Sequence, residues 1–148
     1  MYMNKIIDVP IRLTDSVREY RYRGVSEVVK TSDLLWQDIQ HQGLFSMFDK
    51  MKEEQFDHKL LEELQLYATH HFSLEEAYMA EMDYPQTKRH VKAHDRFREE
   101  LSILAEMPQP ISLESRGFLA MFLEEWLNRH ILSIDKELEQ FILDSSQK

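Results

Sequence analysis

Apolar residues recur at intervals of three and four along most of the chain, which is the spacing of an amphipathic α-helix. No stretch alternates between apolar and polar residues for long enough to form a central strand. Proline and glycine are scarce, so the breaks between helical stretches are easy to place. The pattern predicts four helices, which run from Ser32 or Asp33 to about Lys52, from about Asp57 to Met82, from Pro85 through Leu104, and from Ser112 past Phe141.

Four helices of this length with short connections predict an all-α fold, specifically an up-down-up-down antiparallel four-helix bundle. We expect residues 32–148 to form the bundle and residues 1–31 to form an N-terminal arm. Within the arm, Ser16 and Glu19 have the spacing of a capping box, which allows a short helix from Val17 to about Tyr22.

Charge is distributed unevenly between the arm and the rest of the chain. Residues 1–30 contain six basic and four acidic side chains, a net charge of +2, so the remaining residues carry −11 and the whole chain −9. We expect the arm to dock onto the acidic body, and the alternative is that it binds an acidic protein partner. The negative total argues against a nucleic-acid partner.

The composition narrows the class of protein further. The chain has 148 residues, of which 43% are hydrophobic, and this fits a single globular domain. Its longest apolar run, Phe118–Leu123, is too short to span a bilayer, so we expect no membrane partner. The first residues do not have the pattern of a signal peptide, and we expect a cytoplasmic protein. Because cysteine is absent, any metal must be held by nitrogen and oxygen ligands.

A set of histidines and carboxylates falls on the same helical faces as the large apolar residues, and in the fourth helix this predicted inward face carries Phe118, Phe122 and Trp126. An uncompensated polar group at the centre of a bundle costs on the order of several kcal/mol, and a shared metal centre would satisfy the whole set. Two pairs have the four-residue spacing that places both side chains on one helix face. The set is His41 in the first predicted helix, His71 and Glu75 in the second, His90 and His94 in the third, and His130 and Asp135 in the fourth.

Each member has a simpler reading when it is taken alone. His41 would then be a core histidine with an ordinary hydrogen-bond partner, and His90 and His94 a chance pair on a solvated face. His71 and Glu75 would be an exposed ion pair. The metal centre is favoured because four separate helices each supply a member of the set. The remaining histidines, His58 and His70, are expected to be solvated.

The position of Asp135 leads to the most specific structural prediction. Five residues advance a regular α-helix by about 500°, so Asp135 would lie about 140° around the helix from His130. The simple reading then places Asp135 on the surface and Ile134 inward. For Asp135 to face the same metal as His130, the helix must contain a π-bulge or a bend between them.

Four motifs together resemble the hemerythrins, especially the single-domain bacteriohemerythrins, over residues 33–140. They are Asp38-Ile-Gln-His41, His71-Phe-Ser-Leu-Glu75-Glu76, His90-x3-His94 and Trp126-Leu-Asn-Arg-His130-Ile-x3-Asp135. The resemblance implies two iron ions in a non-haem centre, bridged by oxide or hydroxide, that binds O2 reversibly. It also implies a monomer, with a dimer formed through Phe141 or Met82 as the alternative.

The resemblance further implies a role for each ligand. One iron would be coordinatively complete, the second would keep a position open for O2, and the two carboxylates would bridge them. The complete iron would take His90, His94 and His130, the second iron His41 and His71, and the bridges would be Glu75 and Asp135. The implied oxygen pocket is lined by Leu44, Phe72, Trp126, Leu127 and Ile131.

Oxygen carriage, storage or delivery is the function we expect, and the chain is then not an enzyme. One alternative is an oxygen or redox sensor that signals to a partner protein, and another is a di-iron peroxidase or NO-handling enzyme with weak turnover. The Glu-x-x-His motif of the di-iron carboxylate proteins does not occur in the sequence. The chain also departs from the family pattern, because forty residues precede the first ligand.

Overall fold

The computed structural model describes residues 29–53 and 56–145. Over this part of the chain the predicted all-α helix-bundle class is confirmed. The fourth predicted helix consists of α4, a π-helical segment and α5, which follow one another without a break. The elements are α1 (Leu35–Met51), α2 (His58–Glu81), α3 (Thr87–Ala105), α4 (Leu113–His130), the π-helical segment (Ile131–Asp135) and α5 (Lys136–Ser145).

Two predictions about the N-terminal residues are not tested. The short helix from Val17 to Tyr22 lies outside the described residues. Most of the predicted arm, residues 1–31, lies outside them as well, so the boundary between the arm and a domain of residues 32–148 stays a prediction. None of the described helices is long and apolar enough to cross a membrane.

The helix starts follow from local hydrogen bonds. Asp57 caps α2, since its Oδ1 accepts from the Leu60 N–H at 3.0 Å. The Ser112 hydroxyl likewise accepts from the Ser115 N–H at 3.1 Å before α4. By contrast, α3 begins two residues after Pro85. The Tyr84 carbonyl there closes a turn by accepting from both the N–H and the hydroxyl of Thr87, at 3.2 and 2.6 Å.

The described residues belong to two compact units, which we treat separately. The terminal unit is drawn from Met1–Phe45 and Trp126–Lys148, and the central unit is Ser46–Glu125. In the central unit α2 packs against α3. Phe97 of α3 takes part in this contact, since its ring lies 5.6 Å from that of Phe72 on α2. Its ring also lies 6.3 Å from that of Phe48 on α1. These aromatic pairs join α3 to α2 and to the last part of α1.

In the terminal unit, hydrogen bonds join the residues before α1 to both α1 and α5. The Asp33 N–H donates to Glu139 of α5 at 3.2 Å, and the Gln42 side chain donates to the Val29 carbonyl at 2.7 Å. Leu44 and Leu138 are fully buried. The short stretch in front of α1 is therefore part of the packed structure.

One predicted apolar face is wrong. Phe118 and Phe122 were assigned to the buried side of the fourth helix, but they are 72% and 49% exposed. The buried positions of α4 are instead Ala120, Leu123 and Leu127. These also recur at three and four residues, so α4 carries two apolar faces, and periodicity alone does not decide which of them is buried.

Candidate metal centre

In the central unit, one buried carboxylate faces three imidazoles. Glu75 is 0% exposed. The Nε2 atoms of His71, His90 and His94 lie 3.4, 3.4 and 3.0 Å from its oxygens. His71 and Glu75 are one turn apart on α2, as are His90 and His94 on α3, and the packing of these two helices brings both pairs together. The four residues that the sequence predicted on these helices therefore meet.

In the terminal unit, a second buried carboxylate faces two imidazoles. Asp135 Oδ1 lies 2.9 Å from His130 Nε2, and Asp135 Oδ2 lies 3.0 Å from His41 Nε2. The predicted distortion is confirmed, since Ile131–Asp135 is a π-helical segment. It takes up one extra residue and turns Asp135 to the side of His130, where Asp135 is buried. Ile134, which the simple reading placed inward, is half-buried.

These groups have the chemistry of a metal site. Imidazole nitrogen and carboxylate oxygen are suitable ligands for iron and zinc. Two such atoms bound to one ion at about 2.1 Å and at right angles would lie about 3 Å apart, close to the separations above. A cation would also offset the cost of burying two carboxylates. The chain thus contains buried groups of His, Glu and Asp side chains that could hold a metal ion.

Comparison with known proteins agrees with this chemistry. A family model described as the hemerythrin HHE cation-binding domain matches residues 35–142. The chain belongs to this family. The resemblance to hemerythrins is thereby confirmed, whereas the narrower assignment to single-domain bacteriohemerythrins stays a prediction. No curated protein and no solved structure matches the chain.

The outer nitrogen of His94 is held by a carboxylate of the neighbouring helix. His94 Nδ1 lies 2.9 Å from Glu76 Oε1, and the Arg98 guanidinium donates to the same oxygen at 2.8 Å. Burial alone would raise the pKa of Glu76, but the hydrogen bonds from His94 and Arg98 and the charge of Arg98 outweigh it and lower the pKa. Glu76 therefore stays ionised and accepts a hydrogen bond from the Nδ1–H of His94. The other ring nitrogen, Nε2, then faces Glu75.

The outer nitrogen of His41 is held by a residue that sequence reasoning did not select. His41 Nδ1 lies 2.9 Å from the Thr31 hydroxyl, which donates to Asp38 Oδ1 at 2.7 Å. Asp38 thus acts on His41 through Thr31. Thr31 itself carries no signal in the sequence, because it stands in front of α1 and outside any helical spacing.

The apolar residues of the predicted oxygen pocket are described within their own units. Trp126 stacks on the His130 ring in the terminal unit, with ring centroids 4.6 Å apart. Phe72 stacks on the His94 ring in the central unit, with centroids 4.0 Å apart. The other predicted pocket residues are buried in the terminal unit, and they are Leu44, Leu127 and Ile131. That these five side chains line a pocket for O2 stays a prediction.

The remaining histidines lie where they were expected. His58 and His70 are both exposed. His58 is 3.8 Å from Glu62, one turn further along α2, which is an ordinary surface pair. Since His70 directly precedes a ligand candidate and is exposed, it offers a control for substitutions of that ligand.

Proposed function

We propose that this hemerythrin domain holds two iron ions and binds O2 reversibly, for carriage, storage or delivery. The observation that supports this proposal is the presence of two buried carboxylates, each faced by imidazole Nε2 atoms at 2.9–3.4 Å. When bound, the iron ions would supply electrons to O2 as it binds and take them back as it leaves. Membership in a cation-binding family supports the metal, and the specific choice of iron and O2 is our proposal.

We assign the ligands according to the resemblance described above. Glu75 and Asp135 would bridge the two ions, because a carboxylate has two oxygens and each is faced by imidazoles. One ion would take three imidazoles and the other two, which leaves a coordination position for O2 on the second. The first ion would be held by His90, His94 and His130, and the second by His41 and His71.

The chain's own side chains would keep this site dry. Leu44, Phe72 and Leu127 are fully buried, and Trp126 covers one face of the His130 ring. Apolar walls exclude water and free protons from the open position, which favours release of O2 over irreversible oxidation of the iron. Such a dry environment favours carriage or storage over catalysis.

The donor set also favours binding over turnover. In the di-iron carboxylate proteins, four glutamates and two Glu-x-x-His motifs surround the metals. The proposed set has five imidazoles and only two carboxylates, and the sequence contains no Glu-x-x-His. Fewer anionic ligands stabilise the higher oxidation states of iron less well, so the oxidising intermediates of an oxygenase would be disfavoured.

Metal analysis combined with gas exchange tests the proposal. We expect the protein loaded with Fe(II) without oxygen to contain two irons per chain. A visible charge-transfer band should appear with O2 and disappear under vacuum over repeated cycles. Replacing His71 by Ala should abolish this band, while His70→Ala should leave it unchanged because His70 is exposed. Wild-type protein that contains no iron, that takes up a single zinc instead, or whose O2 spectrum does not reverse would overturn the proposal.

A further inference from the structure

The segment in front of α1 is fastened to the helix by buried hydrogen bonds. The Thr31 N–H and its hydroxyl both donate to Asp38 Oδ1, at 2.8 and 2.7 Å. The Gln42 amide donates to the same oxygen at 3.3 Å and to the Val29 carbonyl at 2.7 Å. All four residues are buried. Thr31 is thus held in a defined position relative to the face of α1 that carries His41.

The direction of each proton in this network follows from the chemistry of the groups. Asp38 Oδ1 already accepts from two N–H donors, those of Thr31 and Gln42, so the single proton of the Thr31 hydroxyl also points to this oxygen. The hydroxyl oxygen then has only lone pairs for His41, and the proton between them must lie on His41 Nδ1. His41 Nε2, the nitrogen 3.0 Å from Asp135, is consequently the one with a lone pair for a metal.

We propose that Thr31 is a positioning residue for the metal site, which fixes the tautomer and the ring orientation of His41 by accepting a hydrogen bond from its Nδ1–H while donating one to Asp38. This inference rests on the proposed function, because it requires a metal at His41 Nε2. Partners of this kind typically change metal affinity about 10- to 100-fold. Since His41 is assigned to the iron with the open position, we expect the effect to fall on that iron.

The hydrogen-bond partner of His41 differs in kind and place from that of His94. The partner of His94 is Glu76, which lies on α2 and is held by Arg98 of α3. The partner of His41 is a residue outside the helices, in the segment that leads into α1. Retention of one iron would therefore depend on how firmly residues 29–32 are held, whereas His94 is oriented by side chains of α2 and α3 alone.

Release of iron to a chelator, from the protein carrying two irons, tests the inference. Thr31→Val keeps the branched shape and removes only the hydroxyl. We expect one iron equivalent to leave about 10- to 100-fold faster than in the wild type, with the second little changed. Thr31→Ser restores the hydroxyl and should release iron at nearly the wild-type rate.

A neighbouring hydroxyl provides the control for a merely structural effect. Ser32 donates to Gln37 at 2.7 Å and accepts from the Leu34 N–H at 3.0 Å, so Ser32→Ala loosens the same segment without removing the Thr31 hydroxyl. If Ser32→Ala releases iron as fast as Thr31→Val, the effect is loosening of the segment and the inference is wrong. Release from Thr31→Val at the wild-type rate would overturn it as well.

A second variant decides the matter if far-ultraviolet circular dichroism shows that Thr31→Val does not fold. Asp38→Asn keeps the size of the side chain but replaces the charged acceptor by a weaker neutral one, so we expect an intermediate release rate. An unchanged rate for Asp38→Asn would contradict the proposed network. Failure of the proposed function has a different signature, since the wild type itself would then not retain two irons.

Discussion

The π-helical segment allows a test in which one residue is deleted from the chain. His130 and Asp135 are five residues apart, and a regular helix would separate their directions by about 140°. Removing Ser133, which is exposed, leaves them four residues apart, an advance of about 400°. A regular α-helix then places both side chains on one face. We expect the deletion to convert the π-helical segment into α-helix while α5 keeps its orientation.

The magnitude follows from the same kind of deletion in a regular helix. Deleting the exposed Thr69 from α2 has no such compensation and rotates the residues after it by about 100° relative to those before it. Phe72 and Met79, now 0% exposed, would leave their buried positions. Exposing two such side chains costs about 1.5–3 kcal/mol each, or about 3–6 kcal/mol together. Deletion of Ser133 should cost less than about 1 kcal/mol.

Urea unfolding of the metal-free protein, followed by circular dichroism, measures both variants. With a slope of about 1–3 kcal/mol per molar urea, the loss expected for deletion of Thr69 shifts the midpoint by at least about 1 M, which is readily resolved. If deletion of Ser133 destabilises the protein as much as deletion of Thr69, the π-helical segment is not a one-residue insertion into a helix. The account given for the position of Asp135 would then be refuted.

Three further predictions concern packing, pH and the proposed oxygen pocket. Arg116 is buried and donates to the Ile111 and Met51 carbonyls, at 3.2 and 3.1 Å, and to the Glu53 carbonyl. Arg116→Met should therefore lower the free energy of unfolding in urea by about 2–4 kcal/mol, and a loss below about 0.5 kcal/mol would contradict this role. Burial raises the pKa of Tyr67 above its ordinary 10.0, so its neutral form is favoured in the folded protein. Between pH 10 and the raised pKa the unfolded chain binds fewer protons at this site, and stability falls as the pH rises. Tyr67→Phe should lose less stability than the wild type in alkaline urea titrations, and equal losses would exclude this contribution. Leu44→Ser should shorten the lifetime of the oxygenated form about 10-fold or more by admitting water, measured as decay of the visible band in air, and an unchanged lifetime would remove Leu44 from the pocket.

The candidate ligands were found from the sequence because metal chemistry requires particular residue types at helical spacing. Glu75 with His71, and His90 with His94, each need one turn of helix, and both pairs face their own core as predicted. Even the distortion before Asp135 followed from a simple angle, since a ligand five residues from His130 cannot share its face in a regular α-helix. A regular α-helix thus fixes the direction of each side chain, and a candidate ligand that falls outside the helical period predicts a local distortion of the helix.

Which of the two apolar faces of α4 is buried could not be predicted in the same way. Phe118 and Phe122 share the spacing of Ala120, Leu123 and Leu127, and the larger side chains were assigned to the core. The buried face is instead the one that includes the small Ala120, together with Arg116, whose hydrogen bonds hold the end of α1. Which face is buried depends on what lies opposite, and a single helix does not contain that information.

The hydrogen-bond partners of the candidate ligands are even harder to predict from the sequence. A metal ligand must be a histidine or a carboxylate, whereas the group that orients it needs only an acceptor at hydrogen-bond distance from its outer nitrogen. A glutamate of the neighbouring helix serves His94, and a threonine outside the helices serves His41. No residue type and no spacing is common to these two solutions. Candidate ligands can therefore be selected from the sequence, while the residues that set their protonation and orientation have to be found in the structure.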